Sequence, residues 1–312
     1  MKIIDAHTHI FENISGFGHR GELRGIGNGI ARWANGDDIA LIPPELGDKS
    51  FEAESLVSFL DNNGIEKAIL LQGSYYGFQN EYVWETVRRW PHLFVASATL
   101  DPFCKSAGEI FENLLEEKKF TIFKFEISSG GGLMGYHQDF DIAGNVFSGI
   151  FERISDSHGT LVLDIGSPGM ASFQPQAVAA VAKRHPNMKI VLCHLLAPRR
   201  NDGEELERSL NMLNFTNVCF DLSAMPFNVS PEQYPYPTAQ KFLAIAKNIV
   251  GVNKLIWGSD IPGTLLHGSY DKQINYILES DLFTPDELER VFYNNAMDVY
   301  FREPFDDSLQ TC

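Results

Sequence analysis

Lys2-Ile3-Ile4-Asp5-Ala6-His7-Thr8-His9-Ile10 is an apolar run that closes on two histidines one residue apart. Side chains of a strand alternate between faces, so a strand here points His7 and His9 the same way. Two adjacent neutral imidazoles are good ligands for one divalent metal ion. The pair alone does not separate a metal site from two half-buried strand histidines. What separates them is the chemistry at the ends of the later apolar runs.

Seven more such runs follow, at residues 67–74, 94–100, 121–128, 160–165, 189–195, 218–224 and 254–260. Between them lie windows with helical spacing, at 51–63, 79–90, 105–118, 143–158, 174–185, 203–213 and 238–250, with more helix from 268 to 301. Asn63-Gly64, Pro91, Gly159 and Pro186 stop several of these. Thr284-Pro285-Asp286-Glu287 reads as the N-terminus of the last helix. Strands that alternate with helices predict a parallel sheet. Eight of them predict an α/β fold, a slightly distorted TIM-type (β/α)8 barrel forming a single domain over residues 1–312. An open, doubly wound sheet is the alternative. The runs are nearly all apolar, as expected of strands covered on both faces.

Residues 11–50 interrupt the pattern. They are rich in glycine, keep no sustained period, and read as a long loop insertion over the active-site face. Gly16-Phe17-Gly18-His19-Arg20-Gly21 matches GxGxxG, but no helix opens after it and Gly25, Gly27 and Gly29 follow, which argues against a dinucleotide fingerprint. Arg20, Arg24, Arg32 and Trp33 are the candidates here for facing a substrate.

A barrel of this type carries its chemistry at the C-terminal ends of its strands. Those ends hold His7 and His9, then Asp101, then Lys124 and Glu126 two apart on one face, then Asp164, His194, Asp221 and Asp260. Each has an ordinary reading. Asp101 precedes a proline and suits a turn. Lys124 and Glu126 suit a pair, Asp164 a glycine turn, Asp221 a cap on the proline-rich loop, and His194 a buried, hydrogen-bonded histidine. The coincidence argues otherwise, because so many ionisable groups at one rim are costly unless paired or bound to metal. A mixed histidine and carboxylate set suits a catalytic divalent ion with an open position.

Charge and composition exclude other classes. Across 312 residues, 25 Lys and Arg stand against 41 Asp and Glu, a net charge of -16, which argues against a nucleic-acid or anionic-membrane partner. No apolar run is long enough for a bilayer, and Asp5, His7 and His9 so near the start argue against a signal peptide. Cys104, Cys193, Cys219 and Cys312 are far apart and form no CxxC, which predicts a reducing, cytoplasmic compartment without disulfides.

Asp5-Ala6-His7-Thr8-His9, Cys193-His194 and Trp257-Gly258-Ser259-Asp260-Ile261-Pro262 together resemble the amidohydrolase superfamily, in its amidohydrolase-related branch that includes aminocarboxymuconate-semialdehyde decarboxylase. The likeness runs from about residue 3 to 301, and Gly-Ser-Asp-x-Pro is its most specific part. It implies that His7 and His9 are metal ligands and that Asp260 is a ligand or the base toward water. It implies His194 as acid/base, substrate anchor or ligand, and Asp5 as support for the histidines. Family members usually place a histidine where Asp164 stands, so Asp164 enters as a carboxylate ligand. Lys124 lies where binuclear relatives carry a carbamylated lysine, but Phe123, Phe125 and Glu126 around it suit an ordinary ammonium that binds substrate. The resemblance implies a divalent ion, zinc first and manganese second, and a small-molecule substrate. Hydrolysis of an amide, ester or lactone carbon is the first expectation. Decarboxylation of an aromatic or unsaturated acid is the second, with Arg20, Arg24 or Arg199 as clamps and Trp33 or Tyr136 as stacking surfaces. An inactive barrel used for binding is the third. Homodimers are common in the group.

Overall fold

The computed structural model describes residues 1–301, so Cys312 lies outside the described residues. Eight parallel strands alternate with helices: β1 (Ile4–Thr8), β6 (Lys67–Leu70), β7 (Phe94–Ala96), β8 (Ile122–Glu126), β9 (Thr160–Asp164), β10 (Lys189–Leu192), β11 (Val218–Asp221) and β12 (Leu255–Ile256). These are the eight apolar runs of the sequence. They form one three-stranded ladder, β1-β6-β7, and one five-stranded ladder, β8 to β12. Single parallel bridges join the two at both edges, Ala98 with Phe123 and Thr8 with Ile261. The fold is a TIM-type (β/α)8 barrel whose two seams are thinner than its ladders.

Alternation along each strand sorts its side chains between two cores. Phe123 and Phe125 of β8, Leu161 and Leu163 of β9, and Ile190 and Leu192 of β10 face outward into the layer beneath the helices. Ile122, Val162, Val191, Cys219 and Ile256 face inward. The helix Asn145–Asp156 shows why the outer layer forms. It buries Phe147, Ile150, Phe151 and Ile154, spaced three and four apart on one face, and sets Phe147 and Phe151 edge-on against Phe125. Among the described residues no helix is long and apolar enough to cross a membrane. The last helical stretch opens at Thr284 with a reciprocal capping box to Glu287, as the sequence predicts.

The segment 11–50 is not a structureless loop. It forms a four-stranded antiparallel sheet of β2 (Ser15–Gly18), β3 (Gly21–Gly27), β4 (Ile30–Trp33) and β5 (Asp38–Ala40). Strands of three to seven residues are too short to print a period. The glycines that hid the pattern make the turns: Gly29 has φ 71°, and a Cβ there would lie 1.9 Å from the Ile42 carbonyl oxygen. The GxGxxG stretch is the β2–β3 hairpin. Backbone bonds from Ser15 and Phe17 to the carbonyls of Tyr76 and Ser74 fasten this sheet to the loop after β6.

One seam depends on a glycine. A Cβ on Gly258 would lie 2.7 Å from His7 Cβ and 2.8 Å from His7 N. No neighbour there is a flexible side-chain tip, so β1 and the segment after β12 can approach only over a bare Cα. Gly258→Ala should lower stability by about 1–3 kcal/mol, read as a shift of the urea midpoint at unchanged slope.

Candidate metal and active site

The inner row of side chains turns polar at the C-terminal rim. Lys124 and Glu126 follow Ile122 at the same parity, Asp164 follows Val162, and Asp221 follows Cys219. β1 reaches the rim differently. Ile4 and Ala6 face inward, the register slips between Asp5 and Thr8, and His7 and His9 then line the cavity. A bulge of this kind re-aims side chains beside active sites.

The cavity has a volume of about 290 Å³. His7, His9, Lys124, Glu126, Asp164, His194 and Asp260 line it, with Tyr75, Tyr76, Phe227 and His267, while Ile39, Ala40 and Leu41 reach in from the inserted segment. His9 Nδ1 donates to the Leu71 carbonyl at 2.9 Å, which leaves its Nε2 lone pair toward Asp260 Oδ1 at 2.9 Å. His7 Nδ1 donates to Asp221 at 2.5 Å, which leaves its Nε2 lone pair 3.6 Å from the same Asp260 oxygen. That Nε2 is buried and has no hydrogen-bond partner among the described residues. Two imidazole lone pairs and a carboxylate oxygen, all within 4.8 Å of one another, form a set of acceptors without a donor. A divalent cation is what such a set fits.

Burial lowers the pKa of both histidines, and Lys124 adds to this, so protonation is a poor way of satisfying them. Burial alone would raise Asp260; the His9 ring beside it and the nearby His7 and His194 outweigh that and hold the carboxyl well below its usual range. His7, Cys193 and His194 also fall within 4.8 Å of one another. That trio is the poorer ligand set, since burial holds the Cys193 thiol protonated and Asp221 occupies His7 Nδ1.

His194 stacks on His7 with ring centres 4.9 Å apart. Its Nδ1 meets Ser223 Oγ at 2.9 Å and its Nε2 faces Asp164 at 3.7 Å. Burial works against its charge, but Asp260, Asp164 and Asp221 outweigh that and raise its pKa. The turn carrying it runs left-handed through four residues without glycine, with φ of 58°, 49°, 68° and 45° from His194 to Ala197. Each costs about 1–2 kcal/mol, and the buried Leu195 and Leu196 hold the turn in place.

Not every sequence candidate reaches this cavity. Asp164 lines it but lies outside the His7, His9 and Asp260 group, with one oxygen accepting from the Gly166 amide. Asp5 touches neither imidazole. It binds the His7 and Ser259 amides, the Ser259 hydroxyl and the Tyr270 hydroxyl, and so ties β1 to the segment after β12. Asp101 pairs with His137. Arg20 pairs with Asp37, Arg32 with Asp38, and Arg24 and Arg199 are exposed; none of the four lines the cavity. Trp33 is buried behind Tyr75, and Tyr136 lies half exposed against Phe17. Asp221 does more than cap the loop: Oδ1 accepts from the Ser223 amide at 2.6 Å, and Oδ2, equally buried, grips His7. Its signal was there, a carboxylate at inward parity in an otherwise apolar strand. Ser223, Tyr76, Phe227 and His267 carried no such signal.

The amidohydrolase family profile matches residues 4–302. The chain belongs to the amidohydrolase family. Its fold is shared with an amidohydrolase of Burkholderia multivorans solved with bound zinc, at 15% identity, TM-score 0.72, and 97% and 100% coverage of this and that chain. A probable 2-pyrone-4,6-dicarboxylic acid hydrolase of Acinetobacter baumannii, solved with citric acid, aligns at 17% identity, TM-score 0.70, and 97% and 100% coverage. The 5-carboxyvanillate decarboxylase of Sphingomonas paucimobilis aligns at 15% identity, TM-score 0.55, and 79% and 82% coverage. No curated protein sequence matches this amidohydrolase.

Glu126 has a measurable signature. Burial pushes its carboxyl up to about 7, against the pull of Lys124, from a usual 4.5. Between those values the folded chain keeps a proton that the unfolded chain has lost, so Glu126 costs stability as pH rises through the window. Glu126→Gln should match the parent's melting temperature below this window and gain on it steadily up to neutral pH.

Proposed function

We propose that this amidohydrolase is a metal-dependent hydrolase acting on an amide, ester or lactone carbon of a small molecule. The observation that carries the reading is the convergence of His7 Nε2, His9 Nε2 and Asp260 Oδ1, three acceptors with no donor among them. These residues would hold a divalent ion, zinc by the ligand chemistry and manganese as second choice. When bound, such an ion acidifies a water and polarises a carbonyl or carboxylate oxygen.

The chain's own groups do the rest. Asp221 fixes the His7 tautomer so that Nε2 stays a ligand. Asp260, ionised and at the cavity wall, takes the proton of the attacking water. Ser223 Oγ holds His194 Nδ1 at 2.9 Å, which leaves Nε2 facing the cavity and, when protonated, available to the leaving group. Tyr76, buried against His9, keeps bulk water from that side.

Decarboxylation of a planar acid is the second reading. The cavity favours hydrolysis over it, because Lys124 is the only lysine or arginine among the described lining residues and the arginines expected to clamp a carboxylate lie elsewhere. The cytoplasm remains our assignment of compartment, on the cysteine spacing.

Metal content after purification without added metal tests the site. About one equivalent of zinc or manganese supports it, and a metal-free protein that neither binds zinc nor turns over an ester and lactone panel ends the reading. Asp260→Asn should leave the melting temperature within a few degrees and cut turnover by about 10²–10⁴-fold. Asp221→Asn should weaken metal binding by about 10–100-fold, measured by competition with a chromogenic chelator.

A further inference from the structure

Lys124 is 3% exposed, lines the cavity, and sends its ammonium to no hydrogen bond or ion pair among the described residues. Glu126, two residues on and on the same face of β8, is built into a cradle. Its Oε2 accepts from the Ser74 hydroxyl at 3.2 Å and the Tyr75 amide at 3.3 Å. A Cβ at Gly73 would lie 2.4 Å from Oε2 and one at Gly131 3.2 Å from Oε1, so two bare backbone positions make room for this carboxyl. Among the described residues no hydrogen bond reaches Oε1. An ammonium and a held carboxylate oxygen, both without a partner among the described residues, thus stand side by side on the cavity wall.

We propose that Lys124 and Glu126 form a hydroxyl-recognition subsite that makes the enzyme select a small substrate bearing hydroxyl groups over a polycarboxylate. A hydroxyl is the group that satisfies both, accepting from the ammonium while donating to the carboxylate. Above the pH at which Glu126 ionises, a second carboxylate satisfies only Lys124 and meets Glu126, Asp164 and Asp260 on the same lining. Phe227, Ile39 and Leu41 supply the remaining apolar wall, which suits the carbon skeleton of such a compound. The inference rests on this cavity being the substrate site of the hydrolase proposed above.

Three six-carbon acids isolate the hydroxyls: gluconate, hexanoate and adipate, titrated calorimetrically into the zinc-supplemented full-length protein. Gluconate is expected to bind about tenfold tighter or better than either of the others. Glu126→Gln, which keeps the shape and the bonds from Ser74 and Tyr75, should remove about tenfold of that preference while leaving hexanoate within about twofold. Lys124→Met should weaken gluconate likewise. The proposal is overturned if gluconate fails to bind at millimolar concentration, if adipate or hexanoate binds as tightly, or if Glu126→Gln leaves the preference in place. Binding is read without turnover, so such a result would leave the metal-dependent hydrolase standing, and loss of hydrolysis would leave this preference measurable.

Discussion

His7 sits between two carboxylates, and much of the site follows from that. Asp221 takes the Nδ1 proton inside the barrel, and Asp260 faces the lone pair left on Nε2. A fully buried imidazole pulled from one side and presented as a bare acceptor on the other is stable only if something positive completes it. His9 repeats the arrangement with a carbonyl in place of Asp221, since Leu71 accepts from its Nδ1. Both rings are thereby set in the same tautomer, and their lone pairs meet at one oxygen.

Holding that oxygen is a matter of closing the barrel. Asp260 arrives from beyond β12, a strand of only two residues, and its amide donates to the His7 carbonyl at 2.7 Å. Asp5 reinforces the same seam with bonds from His7, Ser259 and Tyr270, and Gly258 lets the two backbones approach. The proposed metal ligands therefore straddle one of the two thin joints of the fold, and the polar bonds that shut the joint also align them. Left-handed backbone at His194, Ala224 and Asp260 belongs to the same economy. Strand ends bend sharply there to aim side chains inward, with strain borne by the surrounding packing.

Opposite the ligands lies a wall of different character. Lys124 and Glu126 come up the inner face of β8 from the apolar plug, and the loops after β6 and β8 fold over them with glycines at the contacts. The inserted sheet closes the third side through Ile39, Ala40 and Leu41. The proposed ligands and the proposed recognition groups thus come from separate elements of one rim, which is how this fold lets chemistry and specificity vary independently.

Much of this was legible along the chain. Eight apolar runs and the helical windows between them specify the barrel, because strand and helix periods are local properties. His7, His9, His194 and Asp260 stood out as polar groups ending apolar runs, and all four meet in the cavity. Residues 11–50 were opaque, since short strands between glycines carry too little periodicity to read. Arg20, Arg24, Arg199, Trp33 and Tyr136 were candidates by chemistry alone, and chemistry says nothing of where a loop side chain points. Asp221, Glu126 and the role of Asp5 waited on tertiary structure for a related reason. Parity shows that a carboxylate faces inward, but which imidazole, hydroxyl or ammonium it meets depends on neighbours up to hundreds of residues away. The sequence by itself determined the barrel and the identity of its polar rim; only the packing of its two ladders against each other, with the slip at β1, decided which of those groups face one another.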